Sequence, residues 1–213
     1  MTRKIFWDDP YLTTLETHVS EIDGAELSLA ETIFYAFSGG QESDVGTIGG
    51  RPVLEARKDG LSLRYRLPAD HGLNVGDPVL IEIDGHRRRR LMRLHFAAEL
   101  TLELVMRRLP DVAKIGAHIA VDKARIDFAL DSSVTPMLED LSRSAMEIVA
   151  SDLPIESDFS DRARERRFWR IEGFAAVPCG GTHLKRTGEV GAVTLRRKNI
   201  GRGKERIEIF VAD

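Results

Sequence analysis

The only cysteine of the chain is Cys179, and His183 follows it in the stretch VPCGGTHLKRTGEVGAV. A thiolate and an imidazole at this spacing can both reach one Zn²⁺ ion, and Gly180-Gly181 between them lets the backbone turn tightly enough to aim both at it. Two ligands do not hold a metal, so further donors must come from elsewhere. The best source is His95-x-x-x-Glu99, in RLMRLHFAAELTLELVMRRL. His, Glu, Cys and His are all donor types that zinc accepts. Each pair taken alone has a plainer reading, as a solvated i,i+4 pair and as ordinary turn residues.

The elements that must position these residues follow from periodicity. Leu91, Leu94, Ala98, Leu102 and Val105 recur at three- and four-residue spacing, which predicts an amphipathic helix running to Pro110. On such a helix His95 and Glu99 share a face, and Glu103 extends it. A hairpin is expected across Lys114–Val121 and Arg125–Leu130, and a second helix over Thr135 to Leu153, stopped by Pro154. Phe168 to Val177 reads as one strand leading into the cysteine turn, after a charged, solvated segment from Arg162 to Arg167. Gly191 to Arg197 and Arg206 to Val211 read as closing strands. Residues 1–88 read as mostly β, with period-two alternation around Asp23-Gly24, in Leu61 to Leu67 and in Pro78 to Ile83; the one early helix signal lies at Pro10 to Leu15. The expected fold class is α+β: an N-terminal small β-barrel (1–88) carrying a Ser-Gly-Gly-Gln loop, followed by an α/β two-layer sandwich (89–213).

The motif set resembles a known family. CGGTHLKRTGEVGAV is similar to a segment of the alanyl-tRNA synthetase editing domain and of its free-standing relatives, the AlaX alanyl-tRNA editing proteins. TIFYAFSGGQESDVGTI (Thr32 to Ile48) resembles the family's glycine-rich motif. The His95 helix sits where the family places a His-x-x-x-His pair. ARIDFALDSSVTP and NIGRGKERIEIFV resemble its later strand and closing loop, so the resemblance covers nearly the whole chain. It implies hydrolysis of wrongly charged tRNA(Ala), chiefly Ser-tRNA(Ala) and also Gly-tRNA(Ala), with the acceptor end as partner and Zn²⁺ as cofactor. It makes His95, Cys179 and His183 zinc ligands and places Gln41 in the loop facing the editing pocket. Gln41, Ser38 and Thr182 are the polar residues available to hydrogen-bond a serine hydroxyl, which alanine lacks. Asp44 reads as a turn residue.

Glu99 departs from the family, standing where a second histidine is expected. Three roles are open to it. It can ligate zinc, which changes the net charge of the site from about +1 to about 0. It can stand beside a three-ligand zinc as a base on water. It can mark a degenerate metal site in a non-catalytic relative that binds tRNA or another aminoacyl species. The loop departs as well, with Ala36-Phe37-Ser38 closer to the synthetase version.

Net charge is −3, so local clusters matter more than the balance. His86 to Arg90 is a compact basic run, Lys185 and Arg186 follow the cysteine motif, and a third group spans Arg196 to Arg206. Arg88, Arg89, Arg90, Lys185, Arg186, Arg197, Arg202 and Lys204 are the expected phosphate contacts. His18, His71, His86 and His118 lack ligand partners at short spacing and read as structural or surface residues. No apolar run approaches the ~18 residues of a membrane helix. One cysteine and the absence of a signal-type apolar stretch in MTRKIFWDDPYL make a reducing cytoplasm the expected location. The sequence leaves the oligomeric state open.

Overall fold

The computed structural model describes residues 2–212. It is a mixed α/β structure built mostly of strands, with two α-helices. The chain forms two compact units, Met1–Ser38 with Glu42–Arg89, and Gly39–Gln41 with Arg90–Asp213. The glycine-rich loop expected in the N-terminal part thus gives Gly39–Gln41 to the second unit.

The first unit holds β1 (Arg3–Lys4), β2 (Thr14–Asp23), β3 (Glu26–Leu29), β4 (Glu31–Thr32), β5 (Gly46–Ile48), β6 (Arg51–Pro52), β7 (Glu55–Asp59), β8 (Ser62–Arg66) and β9 (Pro78–Ile83). Seven of them form a sheet in the order β6-β5-β9-β2-β3-β8-β7. The sheet bends in β2, which pairs with β9 through its first half and with β3 through its second, with an irregularity between Val19 and Glu21. Among the described residues no ladder joins β6 to β7, so the pairing leaves the sheet open where a barrel was expected. Alternation sets the buried face: Val79, Ile81 and Ile83 of β9 join Leu27, Leu29, Ile33, Phe34 and Tyr65 in one apolar cluster. The helix expected near Pro10 to Leu15 is absent; a 3₁₀ turn covers Ile5–Trp7, and β2 begins at Thr14.

The division between the units falls within α1 (Gly85–Arg108). Its second-unit part is more buried than a single amphipathic stripe allows: Leu91, Met92, Leu94, Phe96, Ala97, Ala98, Leu100, Leu104 and Val105 are all buried. A helix that is apolar around most of its circumference is a core helix. The second unit continues with β10 (Ala113–Ile119), β11 (Ala124–Ala129), α2 (Leu138–Ala150), β12 (Glu156–Asp161), β13 (Arg166–Ile171), β14 (Ala175–Pro178), β15 (Val193–Asn199) and β16 (Lys204–Val211). They form a four-stranded antiparallel sheet, β10-β11-β16-β15, and a three-stranded sheet, β12-β13-β14. Helix α2 packs on β15 with Leu141, Ala145 and Val149 buried. The single strand expected over Phe168 to Val177 is a hairpin instead, broken by a turn at Glu172–Phe174.

Inside the first unit, Arg88 and Asp44 form a buried ion pair, with side chains 2% and 1% exposed. Arg88 Nε donates to Asp44 Oδ1 at 2.9 Å, and its terminal nitrogens donate to Asp44 Oδ2 and to the carbonyls of Pro10 and Ile33. Asp44 Oδ2 also accepts the Tyr35 amide at 2.6 Å. Asp44 therefore fixes the turn after the glycine-rich loop. Arg88 has no face left for a phosphate, which corrects its expected role. Removing one partner strands the other charge without water, so Asp44→Ala should cost about 3–5 kcal/mol in a urea denaturation experiment. Adding Arg88→Leu to it should cost less than the sum of the two single changes.

Candidate metal centre and its surroundings

Three potential donors converge within the second unit. One ligand atom each from His95, Cys179 and His183 lies within 4.8 Å of the others. His95 comes from α1, while Cys179 and His183 come from the turn that leaves β14. His95 Nε2 and Cys179 Sγ are 3.2 Å apart, and the two imidazole centroids 5.4 Å.

The turn is held by short connections. The Cys179 amide donates to the Arg167 carbonyl at 2.9 Å, continuing the β13–β14 ladder. A Cβ on Gly181 would lie 2.5 Å from His95 Cε1 and 2.8 Å from Nε2. The second glycine is thus required by contact with the imidazole face, beyond any need for a tight bend. Gln41 is fully buried, and its Nε2 donates to Thr182 Oγ1 at 3.0 Å. Gln41 itself is fixed through Gly40, whose carbonyl accepts the Ile119 amide at 2.7 Å. Gly40 has φ +86, and a Cβ there would meet the Ala117 carbonyl oxygen at 2.7 Å, so only glycine fits.

The electrostatics suit a cation. Burial lowers the His95 pKa, against a raising effect of the Glu99 carboxylate. Burial, then His95, then the Arg167 guanidinium, hold His183 well below the ordinary histidine value. Burial first, and then the Glu99 charge, push the Cys179 thiol up to about 12. Neutral imidazoles are the form that ligates. A thiol this weak is no nucleophile at neutral pH and ionises when a cation takes its sulfur. Two buried ring nitrogens, His95 Nδ1 and His183 Nε2, have no hydrogen-bond partner among the described residues. His183 Nδ1 lies 2.9 Å from Ser157 Oγ, so a proton there leaves the Nε2 lone pair for a metal. The donor set fits a metal ion.

Glu99 stands beside these three donors, with Oε1 3.9 Å from His95 Nε2. Its Oε2 accepts the Trp169 indole N–H at 2.9 Å. Ser157, Trp169 and Arg167 escaped the sequence reading. Ser157 lies in a polar run, ESDFSD, with no strand periodicity, and Arg167, expected in a solvated segment, is 5% exposed. The indole and hydroxyl contacts depend on strand register, which composition does not encode.

Sequence comparison supplies the deciding observation. The chain is 33% identical over 216 residues to the alanyl-tRNA editing protein AlaX-M of Pyrococcus horikoshii, covering 99% of this chain and 98% of that one. It belongs to the AlaX alanyl-tRNA editing protein family. The AlaX-M of Methanosarcina barkeri is 28% identical, with both chains covered completely. The alanine–tRNA ligase of Methanopyrus kandleri is 34% identical, the match spanning all of this chain and 26% of the ligase. Residues 167–208 match the threonyl and alanyl tRNA synthetase second additional domain, a span that includes Cys179 and His183.

The remaining expected site residues fall in several settings. Ser38 belongs to the first unit, where its carbonyl accepts the Tyr35 hydroxyl at 3.2 Å. Arg89 is exposed over the Tyr11 ring, and Arg90 donates to the Val121 and Ala212 carbonyls. Arg186 is tied to Asp152 at 2.7 Å and Arg197 to Glu205 at 2.5 Å, while Lys185, Arg202 and Lys204 are exposed. Arg197, Arg202 and Lys204 line a polar cleft of about 540 Å³ with Ser133 and Asn199. His71 is structural, with Nδ1 accepting the Leu73 amide. No helix among the described residues is long and apolar enough to cross a membrane.

Two outcomes follow from this geometry. Gly181→Ala should displace the His95 ring and weaken metal binding about tenfold or more, measured by competition with a chromophoric chelator. The metal-free protein should lose stability as pH falls below 6.5, because the unfolded chain then protonates histidines that the folded chain keeps neutral. Urea midpoints at several pH values check this, and His183→Gln should flatten the dependence.

Proposed function

We propose that this chain is a zinc-dependent hydrolase that deacylates mischarged tRNA(Ala) in the cytoplasm, with Ser-tRNA(Ala) as main substrate and Gly-tRNA(Ala) as a second. The observation that carries the reading is the convergence of His95, Cys179 and His183 in a chain 33% identical over nearly its full length to an alanyl-tRNA editing protein.

His95, Cys179 and His183 would hold the ion, a nitrogen–sulfur donor set that suits zinc. When bound, zinc supplies Lewis-acid polarisation of oxygen at this site. The carboxylate of Glu99 then acts as general base. It takes a proton from the attacking water, whose oxygen adds to the ester carbonyl; as the ester C–O bond breaks, the protonated Glu99 returns that proton to the departing ribose oxygen, releasing serine and the terminal ribose hydroxyl. Gln41 supplies selectivity. Its Nε2 is committed to Thr182, while its Oε1 is buried without a hydrogen-bond partner among the described residues. The serine hydroxyl donates to that oxygen; an alanyl group leaves it unpaired. The exposed cations Arg89, Lys185, Arg202 and Lys204 provide phosphate contacts, and the polar cleft beside Arg202 and Lys204 supports that role.

Single-turnover deacylation of Ser-tRNA(Ala) by zinc-loaded and chelator-stripped protein tests the reading. Hydrolysis should be fast in the first sample and lost in the second. Ala-tRNA(Ala) should survive, and Glu99→Gln should slow the reaction about a hundredfold or more. A folded, zinc-loaded protein inert toward a panel of mischarged tRNAs would sink the proposal.

A further inference from the structure

A single register position delivers two supporting contacts to the metal centre. In the β12–β13 ladder Ser157 stands directly across from Trp169. Cross-strand partners present their side chains on one face of the sheet. From there Ser157 Oγ reaches His183 Nδ1, and Trp169 Nε1 reaches Glu99 Oε2, each at 2.9 Å.

The indole is firmly seated. Trp169 is fully buried and meets Phe96 edge-on, with centroids 5.1 Å apart and planes at 65°. Glu99 has a long side chain with three rotatable bonds and is 17% exposed. An indole N–H only donates, so Trp169 ties one carboxylate oxygen without offering a competing acceptor. With Oε2 tied, Oε1 lies 3.9 Å from His95 Nε2, on the side of the metal centre.

We propose that Trp169 is a positioning residue for Glu99: its indole N–H fixes one carboxylate oxygen and thereby holds the other at the metal centre. The inference rests on the catalytic reading of Glu99.

The test uses Trp169→Phe, which removes the N–H and keeps an aromatic ring in the core. Single-turnover deacylation should slow about tenfold or more, as expected for loss of a group that orients a site residue. In the Glu99→Gln background the same change should add little, because the two residues act through one contact. Effects that simply multiply would overturn the proposal, since Trp169 would then act through packing. An independent readout comes from the ¹⁵N-labelled indole signals of the chain's two tryptophans. The Trp169 signal should move upfield in Glu99→Gln and should shift when zinc is added to the unmodified protein. A signal indifferent to both overturns the proposal. If the unmodified protein fails to deacylate any tRNA, the activity reading fails, while the indole signal still decides whether Trp169 holds Glu99.

Discussion

The contact on which the site depends is the approach of Gly181 to the face of His95. A Cβ at that position would stand 2.5 Å from His95 Cε1, closer than the imidazole face allows. Helix α1 cannot retreat, because Leu91, Leu94, Phe96 and Ala98 are buried around it. The turn therefore has to come in close, and everything attached to it serves that approach. The Cys179 amide extends the β13–β14 ladder, Thr182 receives the Gln41 amide, and His183 meets Ser157. These three ties run to different parts of the unit, so the donors are set by tertiary structure rather than by the five-residue motif alone.

That arrangement carries an unfavourable electrostatic balance until a cation is present. Two buried imidazoles and a half-buried cysteine sit together, and desolvation favours the neutral form of all three. Ring nitrogens that face no hydrogen-bond partner raise the free energy of the folded chain. A cation relieves part of this, by ionising the thiol and by accepting the His183 Nε2 lone pair.

Much of the site was legible because its chemistry is written in residue types at fixed spacing. A lone cysteine four positions from a histidine, and a histidine on a 3.6-period helix, survive as local signals. The fold was legible where alternation is strong, as in β9 and β16, and illegible where it is weak. Strand β12 reads Glu-Ser-Asp-Phe-Ser-Asp and carries no apolar face of its own. Its existence depends on pairing with β13, so Ser157 could not be assigned a partner. Trp169 was placed on a strand, but its indole partner lies 70 residues away on another element. The basic run misled for a similar reason: charge in the sequence says nothing about which carboxylate waits across the fold. Arg88 found Asp44 and went into the core.

The fate of that run bears on how the chain would meet any polyanion. Successive helix residues point about 100° apart, so four consecutive arginines cannot form one patch. Arg87 is paired with Glu42 and Arg88 with Asp44, while Arg90 is spent on backbone carbonyls. Elsewhere Arg186, Arg197 and Arg206 each lie against a carboxylate. A cation already neutralised within the protein displaces no counterion from a phosphate backbone. The salt sensitivity of association is then set by a few exposed lysines and arginines, far fewer than the 31 basic residues of the sequence. Encounter with a polyanion would be weakly steered, and retention would depend on contacts other than charge.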